Sequence, residues 1–363
     1  MKTRVAVIFG GRSSEHAISC VSAGAVLRAL DRDVFDVIPV GITEAGHWVV
    51  EDDDPERMVI RDGYLPHVRT DRDPVTLGRD AEGRVVLTSI TGSTLGVIDV
   101  AFPVLHGPWG EDGTIQGLFE TLGLPYVGSG VFASAAGMDK GHMKAMFRIA
   151  GLPVGPYEVV SNRDWITDRE ATLSRVAELG FPLFVKPARA GSSLGISKVR
   201  DEATLVACIE QARLHDPRLV IEAGFEGVRE VECGVLIDAD GIPRASVCAE
   251  IIVKGNHEFY DFDAKYLDDS ADLVVPAQLD AETTAQLQRL AILAFDAVAG
   301  EGLARVDFFV RADGSIIINE LNTMPGFTPI SMFPRMWAHG GVTYPEVVQR
   351  LVSDALVRGA GLR

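Results

Sequence analysis

The chain has 363 residues, with 34 Lys and Arg against 51 Asp and Glu, so its formal net charge at pH 7 is −17. This length predicts two or three domains, because a domain usually holds about 100–200 residues. A hydrophobic content of 47% with 37 Gly and 18 Pro excludes fibrous and low-complexity classes. The negative charge disfavours nucleic acid and anionic membranes as partners, so an anionic ligand must be small and met by a local cluster of cations.

The cysteines and the N-terminus exclude further classes. Cys20, Cys208, Cys233 and Cys248 are widely spaced, so neither a disulfide scaffold nor a thiolate zinc site is predicted, and they are interpreted as buried thiols. Five apolar residues precede Gly10, too few for the core of a signal peptide, and no apolar run reaches 18 residues. We therefore expect a soluble, cytoplasmic protein without a membrane partner.

The first part of the chain is typical of an α/β unit. Residues 5–9 predict a buried strand that ends in the glycine turn Gly10-Gly11 and leads into a helix. Residues 33–40 and 97–105 predict further strands of the same unit. The segment 44–92 between them is polar and weakly patterned, which predicts a surface excursion with a hairpin at RVVLTSI.

The rest of the chain predicts two more units after a boundary near residues 122–130. The helix-like segment MDKGHMKAMFRIAG closes on Gly151, and two strands, FPLFVKPA and RLVIEAGF, then flank a further helix. Beyond residue 226, two strands join across Asp240-Gly241, a long helix stops at Gly300, and a capping box opens the last helix. The sequence thus predicts a mixed α/β chain of three domains, at 1–128, 129–225 and 226–363.

The stretch 303–322 gathers charged side chains on one predicted hairpin. Asp313-Gly314 is a strong hairpin signal, and a two-residue turn there pairs Asp307 with Glu320 and Arg305 with Asn322. Because side chains alternate along strands, these four residues share one face. Two opposed carboxylates repel each other, so the pattern predicts either a solvated face balanced by Arg305 or a site for Mg²⁺.

Residues 184–195 predict a phosphate-binding loop. Lys186 ends an apolar strand, and the small residues Gly191-Ser192-Ser193-Leu194-Gly195 leave backbone N–H groups accessible to a phosphate. The Walker A pattern is absent, so a P-loop fold is not predicted, and a plain glycine turn stays the alternative. The segment GSGVFA at 128–133 matches a dinucleotide fingerprint only superficially, because it lacks a preceding long strand and an acidic residue at the right distance.

The segment 254–269 predicts a lid over such a site. It is a long, polar and aromatic loop that carries Lys265 and Tyr266 near its end. Lys140 and Lys186 are the other cations expected beside a bound phosphate.

Seven motifs occur together in one order: GGRSSEHAIS, HGPWGEDGTIQG, MDK, KPARAGSSLG, DFDAKY, ARVDFF and NELNTMPGFTPISMFP. With them the chain resembles the D-alanine–D-alanine ligase family of bacterial cell-wall synthesis over nearly its full length. The resemblance implies an ATP-grasp architecture of three domains, the first Rossmann-like. It also implies ligation of two D-alanine molecules for peptidoglycan through a D-alanyl phosphate, with ATP and two Mg²⁺ or Mn²⁺, in a cytoplasmic homodimer.

The resemblance also implies roles for individual residues. Asp307, Glu320 and Asn322 would bind the metal ions. The ATP contacts would be Lys140, Lys186, Ser193, Glu222, Ala223, Phe225, Glu230 and Lys265. The groups at the reacting atoms would be Glu15, Ser192, Tyr266, Arg305 and Gly326. The substrate contacts would be Glu15, His106, Ser331 and Met332.

The sequence also leaves alternatives. Ala190 and Ala223 depart from residues found in some relatives, so those side-chain contacts are absent or replaced. A ligase that makes D-alanyl-D-lactate is the nearest rival, and Tyr266 favours the dipeptide-forming type. A catalytically inactive nucleotide sensor would have lost a metal ligand or Arg305, and all are present. A nicotinamide dehydrogenase would depend only on GSGVFA and the first α/β unit.

Overall fold

The computed structural model describes residues 2–61, 63–191, 194–253, 271–361 and 363. Among these residues the strands form four sheets, with helices packed between and around them. The helices are α1 His16–Ala29, α2 Thr114–Leu122, α3 Val131–Met138, α4 Lys140–Ile149, α5 Asn162–Thr167, α6 Arg169–Ala177, α7 Glu202–Arg213, α8 Ala281–Ala297, α9 Met332–His339 and α10 Tyr344–Arg358. A 3-10 helix spans Pro55–Met58. Within the described ranges, no helix is long and apolar enough to cross a membrane.

The first sheet is built on β1 (Thr3–Gly10), as the apolar run at residues 5–9 predicted. Its neighbours β2 (Phe35–Ile42) and β7 (Val100–Pro103) both run parallel to it, and β3 (Trp48–Val50) pairs antiparallel with β2. Because β1 lies between its two parallel partners, the strand order reverses there. Ligands of open α/β sheets bind at the carboxyl ends of strands at this kind of point.

The polar excursion forms a small antiparallel sheet of its own. Strands β4 (Val75–Arg79), β5 (Val85–Ser89) and β6 (Thr94–Val97) pair in sequence order. The predicted hairpin at RVVLTSI is thus confirmed as part of a three-stranded unit. Its strand β5 buries Val85 and Leu87 in the same core cluster as Ile8 of β1.

The second large sheet is antiparallel and carries the glycine loop. Its order is β10 (Ser197–Val199), β9 (Leu183–Pro187), β11 (Leu219–Ala223) and β8 (Tyr157–Val160). Buried side chains of α5, α6 and α7 pack on one face of this sheet. The two predicted strands at 181–188 and 218–225 are therefore direct neighbours, which places Lys186 beside Val220.

The third large sheet has the order β14 (Ala271–Val274), β13 (Pro243–Val253), β12 (Arg229–Ile237), β15 (Leu303–Val310) and β16 (Ile316–Asn322), and its pairs are antiparallel. Helix α8 covers one face with Leu287, Ala291 and Ala294, which are fully buried. The predicted core face of this helix is confirmed, since burial of its apolar stripe is what holds it on the sheet.

The last helix returns to the start of the chain. Helix α10 begins with the predicted capping box of Thr343 and Glu346. Its buried residues Val348 and Leu351 share a core cluster with Val7 and Phe102 of the first sheet. The N-terminal sheet and the third large sheet are therefore linked through a common apolar core. The domain boundaries at 128 and 225 stay a prediction.

The hairpin of β15 and β16 has the predicted pairing at its open end, but the predicted two-residue turn is wrong. Asp307 lies opposite Glu320, and Arg305 lies opposite Asn322. At the turn, Arg311 N–H donates to the Ser315 carbonyl, so three residues form the loop, with Gly314 at φ 81°. A bulge at Asn319 then shifts the register by one residue and restores the pairing.

Candidate active site

A cavity of about 180 Å³ lies between the second and third large sheets. The second sheet contributes Phe184 and Lys186 from β9 and Glu222 from the end of β11. The third sheet contributes Glu230 from β12 and Asp307 from β15. The cavity therefore has apolar and aromatic walls at one end and charged groups at the other, an arrangement suited to a ligand with a flat ring and an anionic tail.

Glu222 is held by two buried lysines. Lys186 Nζ lies 2.9 Å from Glu222 Oε2, and Lys144 Nζ lies 3.1 Å from Oε1. Burial opposes the charge of the carboxylate, but the two ammonium groups outweigh it and lower the pKa of Glu222 to about 2. Burial likewise disfavours the charge on Lys186, yet Glu222 and Glu320 raise its pKa. Burial lowers the pKa of Lys144, whereas Glu222 raises it.

Lys144 also joins the two sheets, because its Nζ donates to the Asn319 carbonyl at 2.8 Å. Asn319 is the bulged residue of β16, so its carbonyl is outside the regular ladder. Sequence reasoning missed Lys144, which lies on α4 four residues after Lys140. A lysine inside a helical pattern is typical of a solvated face, and only the contact with Glu222 distinguishes it.

Glu222 Oε1 faces the Lys144 ammonium rather than the open part of the cavity, since the atom is buried and Lys144 Nζ lies 3.1 Å from it. Phe225 and Ala223 line the same cavity, and the Ala223 side chain offers no donor.

The charged end of the cavity is the predicted face of β15 and β16. Arg305 Nε and Nη2 lie 2.7 and 2.8 Å from the two oxygens of Asp307. Asn322 Nδ2 donates to Asp307 Oδ2 at 3.2 Å, and Lys140 Nζ lies 3.6 Å from Glu320 Oε2. The structure therefore brings together the four residues that the hairpin register predicted and adds a lysine from α4.

A further carboxylate on this face was missed by sequence reasoning. Glu232 of β12 lies opposite Asp307, and its Oε1 is 3.2 Å from Arg305 Nε. Burial disfavours a charged guanidinium, but Asp307 and Glu232 outweigh it and raise the pKa of Arg305 well above its ordinary value. Arg305 therefore keeps its charge and a fixed direction.

The donor atoms of this face fit a hard divalent cation. Asp307 and Glu320 supply carboxylate oxygens, and Asn322 supplies an amide group on the same side of the sheet. A small number of protein oxygen ligands is typical of Mg²⁺, because this ion keeps several waters and also takes phosphate oxygens. Without a cation the opposed carboxylates are balanced by Arg305 and Lys140.

One other group of potential metal ligands does not fit a metal. Among the described residues, His16, Glu44 and His67 have ligand atoms within 4.8 Å of one another. Both ring nitrogens of His16 are already used, because Nδ1 bonds the Gly11 carbonyl at 2.7 Å and Nε2 accepts from Val68 N–H at 3.2 Å. The hairpin face is the better candidate.

The neighbouring residues His215 and Asp216 contact the two described ends of the glycine loop. Arg189 donates to Asp216 from its backbone N–H, Nε and Nη2, at 2.7–3.0 Å. At the other end, a Cβ added to Gly195 would lie 2.6 Å from the ring of His215, so this residue must be glycine. Lys140 Nζ donates to the Ala190 carbonyl at 3.1 Å. Ser192 and Ser193 lie outside the described residues, as do Lys265, Tyr266 and the predicted lid at 254–269.

Glu15 lies where the N-terminal unit meets the glycine loop. It precedes helix α1 and is 7% exposed. A Cβ added to Gly107 or Gly191 would come within 2.4 or 2.5 Å of Glu15 Oε2. Two glycines therefore let the carboxylate lie between the HGPWG loop and the glycine loop, at the carboxyl ends of β1 and β7.

His106 follows β7, and both of its ring nitrogens have partners. Nε2 lies 2.9 Å from Ser22 Oγ, and Nδ1 lies 3.2 Å from the Met324 carbonyl. Because a carbonyl only accepts, Nδ1 carries the proton and Nε2 accepts from the hydroxyl. Burial lowers the pKa of His106, which keeps the ring neutral.

The segment after β16 leads to helix α9. Gly326 is partly buried in this segment, and Ser331 occupies the N-cap position of α9. The Ser331 hydroxyl does not cap the helix but lies 2.8 Å from Thr328 Oγ1. Met332 is the first residue of α9, so its N–H is one of the groups that a helix leaves without an intrahelical partner. Such a terminus attracts a carboxylate.

Profiles of two related families match the chain. The family described as "D-ala D-ala ligase N-terminus" matches residues 4–129, and "D-ala D-ala ligase C-terminus" matches residues 146–353. Curated relatives include the D-alanine–D-alanine ligase of Streptomyces griseus, 56% identical over 100% of this chain and 95% of the relative. That of Kineococcus radiotolerans is 53% identical over 100% of this chain and 99% of the relative.

Solved structures give the same result for the fold. The D-alanine–D-alanine ligase from Coxiella burnetii has 32% sequence identity and a TM-score of 0.83, covering 98% of this chain and 94% of that one. The VanG D-Ala:D-Ser ligase from Enterococcus faecalis has 34% identity and a TM-score of 0.85, covering 98% and 100%. The likeness therefore extends over both chains nearly in full.

Proposed function

This chain belongs to the D-alanine–D-alanine ligase family, and we propose that it joins two D-alanine molecules to D-alanyl-D-alanine with conversion of ATP to ADP and phosphate. The family predicted from the seven motifs and the ATP-grasp fold are confirmed. The observation that carries the proposal is the charged face of Arg305, Asp307, Glu320 and Asn322 beside the aromatic cavity.

ATP occupies the cavity between the second and third large sheets. Glu222, Ala223 and Phe225 line the part of the cavity that takes the adenine ring, and Glu230 binds the ribose. Lys140 and Lys186 hold the phosphates, which supplies the local positive charge that a chain of net charge −17 needs. Ser193 and Lys265 complete this set in the proposal.

Asp307, Glu320 and Asn322 hold two Mg²⁺ or Mn²⁺ ions. The ions neutralise the phosphate oxygens when they are bound. With its charge fixed by Asp307 and Glu232, Arg305 faces the place where negative charge develops on the acyl group. The Gly326 N–H supplies a second donor there.

The first D-alanine lies at the junction of the N-terminal sheet and the glycine loop. Glu15 binds its ammonium group, with Ser192 and Tyr266 completing the contact, and His106 shapes the pocket. Its carboxylate oxygen attacks the γ-phosphorus of ATP, and ADP leaves. An acyl phosphate results.

The second D-alanine lies at the start of α9. Ser331 and the Met332 N–H receive its carboxylate, because a helix N-terminus carries partial positive charge. Its amine attacks the acyl carbon and loses a proton, while the phosphate group leaves. The product is a dipeptide for peptidoglycan synthesis.

The proposal includes the organisation of the whole protein. Residues 1–128 bind substrate, residues 129–225 and 226–363 enclose ATP, and the segment 254–269 is the lid. The protein is a cytoplasmic homodimer with no nucleic acid or membrane partner. D-alanine and ATP are its small-molecule substrates.

Substrate competition tests the proposal. Purified protein is given Mg²⁺-ATP and D-alanine near neutral pH, with D-lactate or D-serine as a competing second substrate, and products are identified by mass spectrometry. We expect D-alanyl-D-alanine to dominate. Dominant D-alanyl-D-lactate would overturn the dipeptide specificity. If no mixture releases phosphate, the result would support the inactive nucleotide sensor. Thermal protection by NAD rather than Mg²⁺-ATP would favour the dehydrogenase.

A further inference from the structure

One carboxylate outside the proposed roles joins the N-terminal unit to the segment after β16. Glu111 Oε1 accepts from Gly107 N–H at 2.8 Å, and Oε2 accepts from Met324 N–H at 3.0 Å. Gly107 and Met324 are 217 positions apart in the chain. A single side chain therefore ties the HGPWG loop to a distant backbone segment.

Both polar backbone groups of Met324 are hydrogen-bonded to side chains. Its N–H donates to Glu111, and its carbonyl accepts from His106 Nδ1 at 3.2 Å. Met324 follows Asn322 by two residues and precedes Gly326 by two. Any shift of Met324 would thus move a proposed metal ligand on one side and the proposed oxyanion donor on the other.

The other end of the contact bears on the first substrate. Gly107 has φ 76° and packs against Glu15, where a Cβ would lie 2.4 Å from Glu15 Oε2. Glu111 also lines the cavity of about 80 Å³ that contains Lys140, Arg305 and Glu320. The carboxylate therefore spans from the wall behind Glu15 to the segment that carries Gly326.

We propose that Glu111 is a positioning residue for the ligation: by accepting Gly107 N–H and Met324 N–H together, it sets Glu15 in register with Asn322 and Gly326. This inference rests on the proposed ligase function. Two donors from separate segments require two acceptor oxygens on one rigid group, which a carboxyl group supplies. Burial and the nearby Glu15 raise the pKa of Glu111 to about 8, and its two oxygens keep acceptor capacity in either protonation state. An amide supplies one acceptor and turns a donor toward the other N–H.

The experiment compares Glu111→Gln with Asp112→Asn in the full-length protein. Asp112 lies in the same loop and accepts from Trp109 N–H at 2.8 Å and Thr114 N–H at 3.0 Å, but makes no described contact with Met324. We expect Glu111→Gln to lower kcat by about 10²-fold, because displacements near 1 Å at reacting groups cost that much. The KM for ATP should change less than about threefold, since Glu111 bonds Gly107 and Met324 and not Lys186, Glu222 or Glu230.

A second measurement reports on the contact itself. Hydrogen–deuterium exchange of the segment 322–328 should be slow in the wild type and in Asp112→Asn and faster in Glu111→Gln, while exchange in β9 and β11 stays unchanged. Unchanged kcat with Glu111→Gln, or equally slow exchange, would overturn the inference. An equal loss of ATP affinity and kcat would also overturn it, because it would indicate general disruption.

Two controls keep the outcome decisive. If Glu111→Gln does not fold, Glu111→Asp replaces it, because its shorter side chain reaches only one of the two N–H groups; wild-type kcat in that variant contradicts the inference. If wild-type protein forms no dipeptide, the proposed function fails. If the wild type is active and the Glu111 variants equal it, only the positioning role fails.

Discussion

The nucleotide side and the substrate side of the reaction site are held together by different forces. On the nucleotide side, buried charges join two sheets: Glu222 binds Lys186 and Lys144, and Lys144 binds the Asn319 carbonyl. On the substrate side, mainly backbone groups make the contacts, and Glu111 and His106 bind the Met324 N–H and carbonyl. Loss of a charge should therefore unfold the first region, whereas loss of an acceptor should misalign the second.

The hairpin of β15 and β16 belongs to both sides, so its variants should affect both at once. We expect Glu320→Gln to reduce dipeptide formation at least about 10³-fold, because several kcal/mol of metal-assisted charge stabilisation depend on this carboxylate. The exposed Asp313→Asn in the turn of the same hairpin is the matched control. Steady-state release of phosphate measures the effect, circular dichroism checks the fold, and near-normal turnover in Glu320→Gln would remove the metal assignment.

The difference between the two sides is tested next by Glu222→Gln. Removal of this charge leaves two buried ammonium groups, so the free energy of unfolding should fall by about 3–5 kcal/mol at pH 7. The exposed Glu226→Gln should change it by less than about 0.5 kcal/mol. Urea unfolding of both variants measures this difference.

The pH dependence of Glu222 sharpens the same test. Its pKa is lowered to about 2 from an ordinary value of 4.5, so the unfolded state takes up its proton first as the pH falls. The stabilisation is therefore complete above about pH 4.5 and is lost progressively toward pH 2. The gap between wild type and Glu222→Gln should narrow between pH 5 and pH 3; a constant gap would contradict the role of the charge.

The glycine loop offers a milder effect on the nucleotide side. Asp216→Asn weakens the three bonds to Arg189, so the KM for ATP should rise about tenfold, the equivalent of one charge-assisted hydrogen bond. Asp201→Asn, which removes part of the N-cap of α7, is the control and should leave this KM unchanged. Equal values in the two variants would show that the loop needs no support from Asp216.

On the substrate side, we expect the smallest effect from the protonation of His106, which changes the stability of the protein with pH. Burial lowers its pKa below the ordinary 6.5, so below pH 6.5 the unfolded state gains a proton that the folded state does not. Stability should therefore fall by up to about 1.4 kcal/mol from pH 6.5 to pH 5.5 through this residue. In His106→Asn, whose side chain does not titrate, that part of the fall should be absent from the unfolding curves; an identical fall would assign it to other groups.

The hairpin of β15 and β16 shows how much of the site could be predicted from the sequence. Period-2 alternation and an Asp-Gly turn placed Asp307 opposite Glu320, and the structure agrees. The turn itself has one residue more than predicted, and the bulge at Asn319 compensates for it. The extra turn residue and the bulge shift the register in opposite directions, so the pairing at the charged face is as predicted. Residue propensities predict neither irregularity.

Contacts between distant segments were beyond sequence reasoning. Lys144 has the spacing of a helix surface, and Glu111 lies in a loop motif whose partner is more than 200 residues away. In the sequence, Glu232 is one of the polar residues that alternate with apolar residues along its strand, and nothing local distinguishes it. Each gains its meaning only from the packing of one sheet against another, whereas strands, caps and the core face of α8 follow from local patterns.

The most direct test of the account is the ratio of dipeptide formed to ADP released by the wild-type protein, with Mg²⁺-ATP and D-alanine as the only substrates. We expect one D-alanyl-D-alanine per ADP, and no ADP release when D-alanine is omitted. ADP release without dipeptide, or equal release with and without D-alanine, would contradict the assignment of this site to ligation.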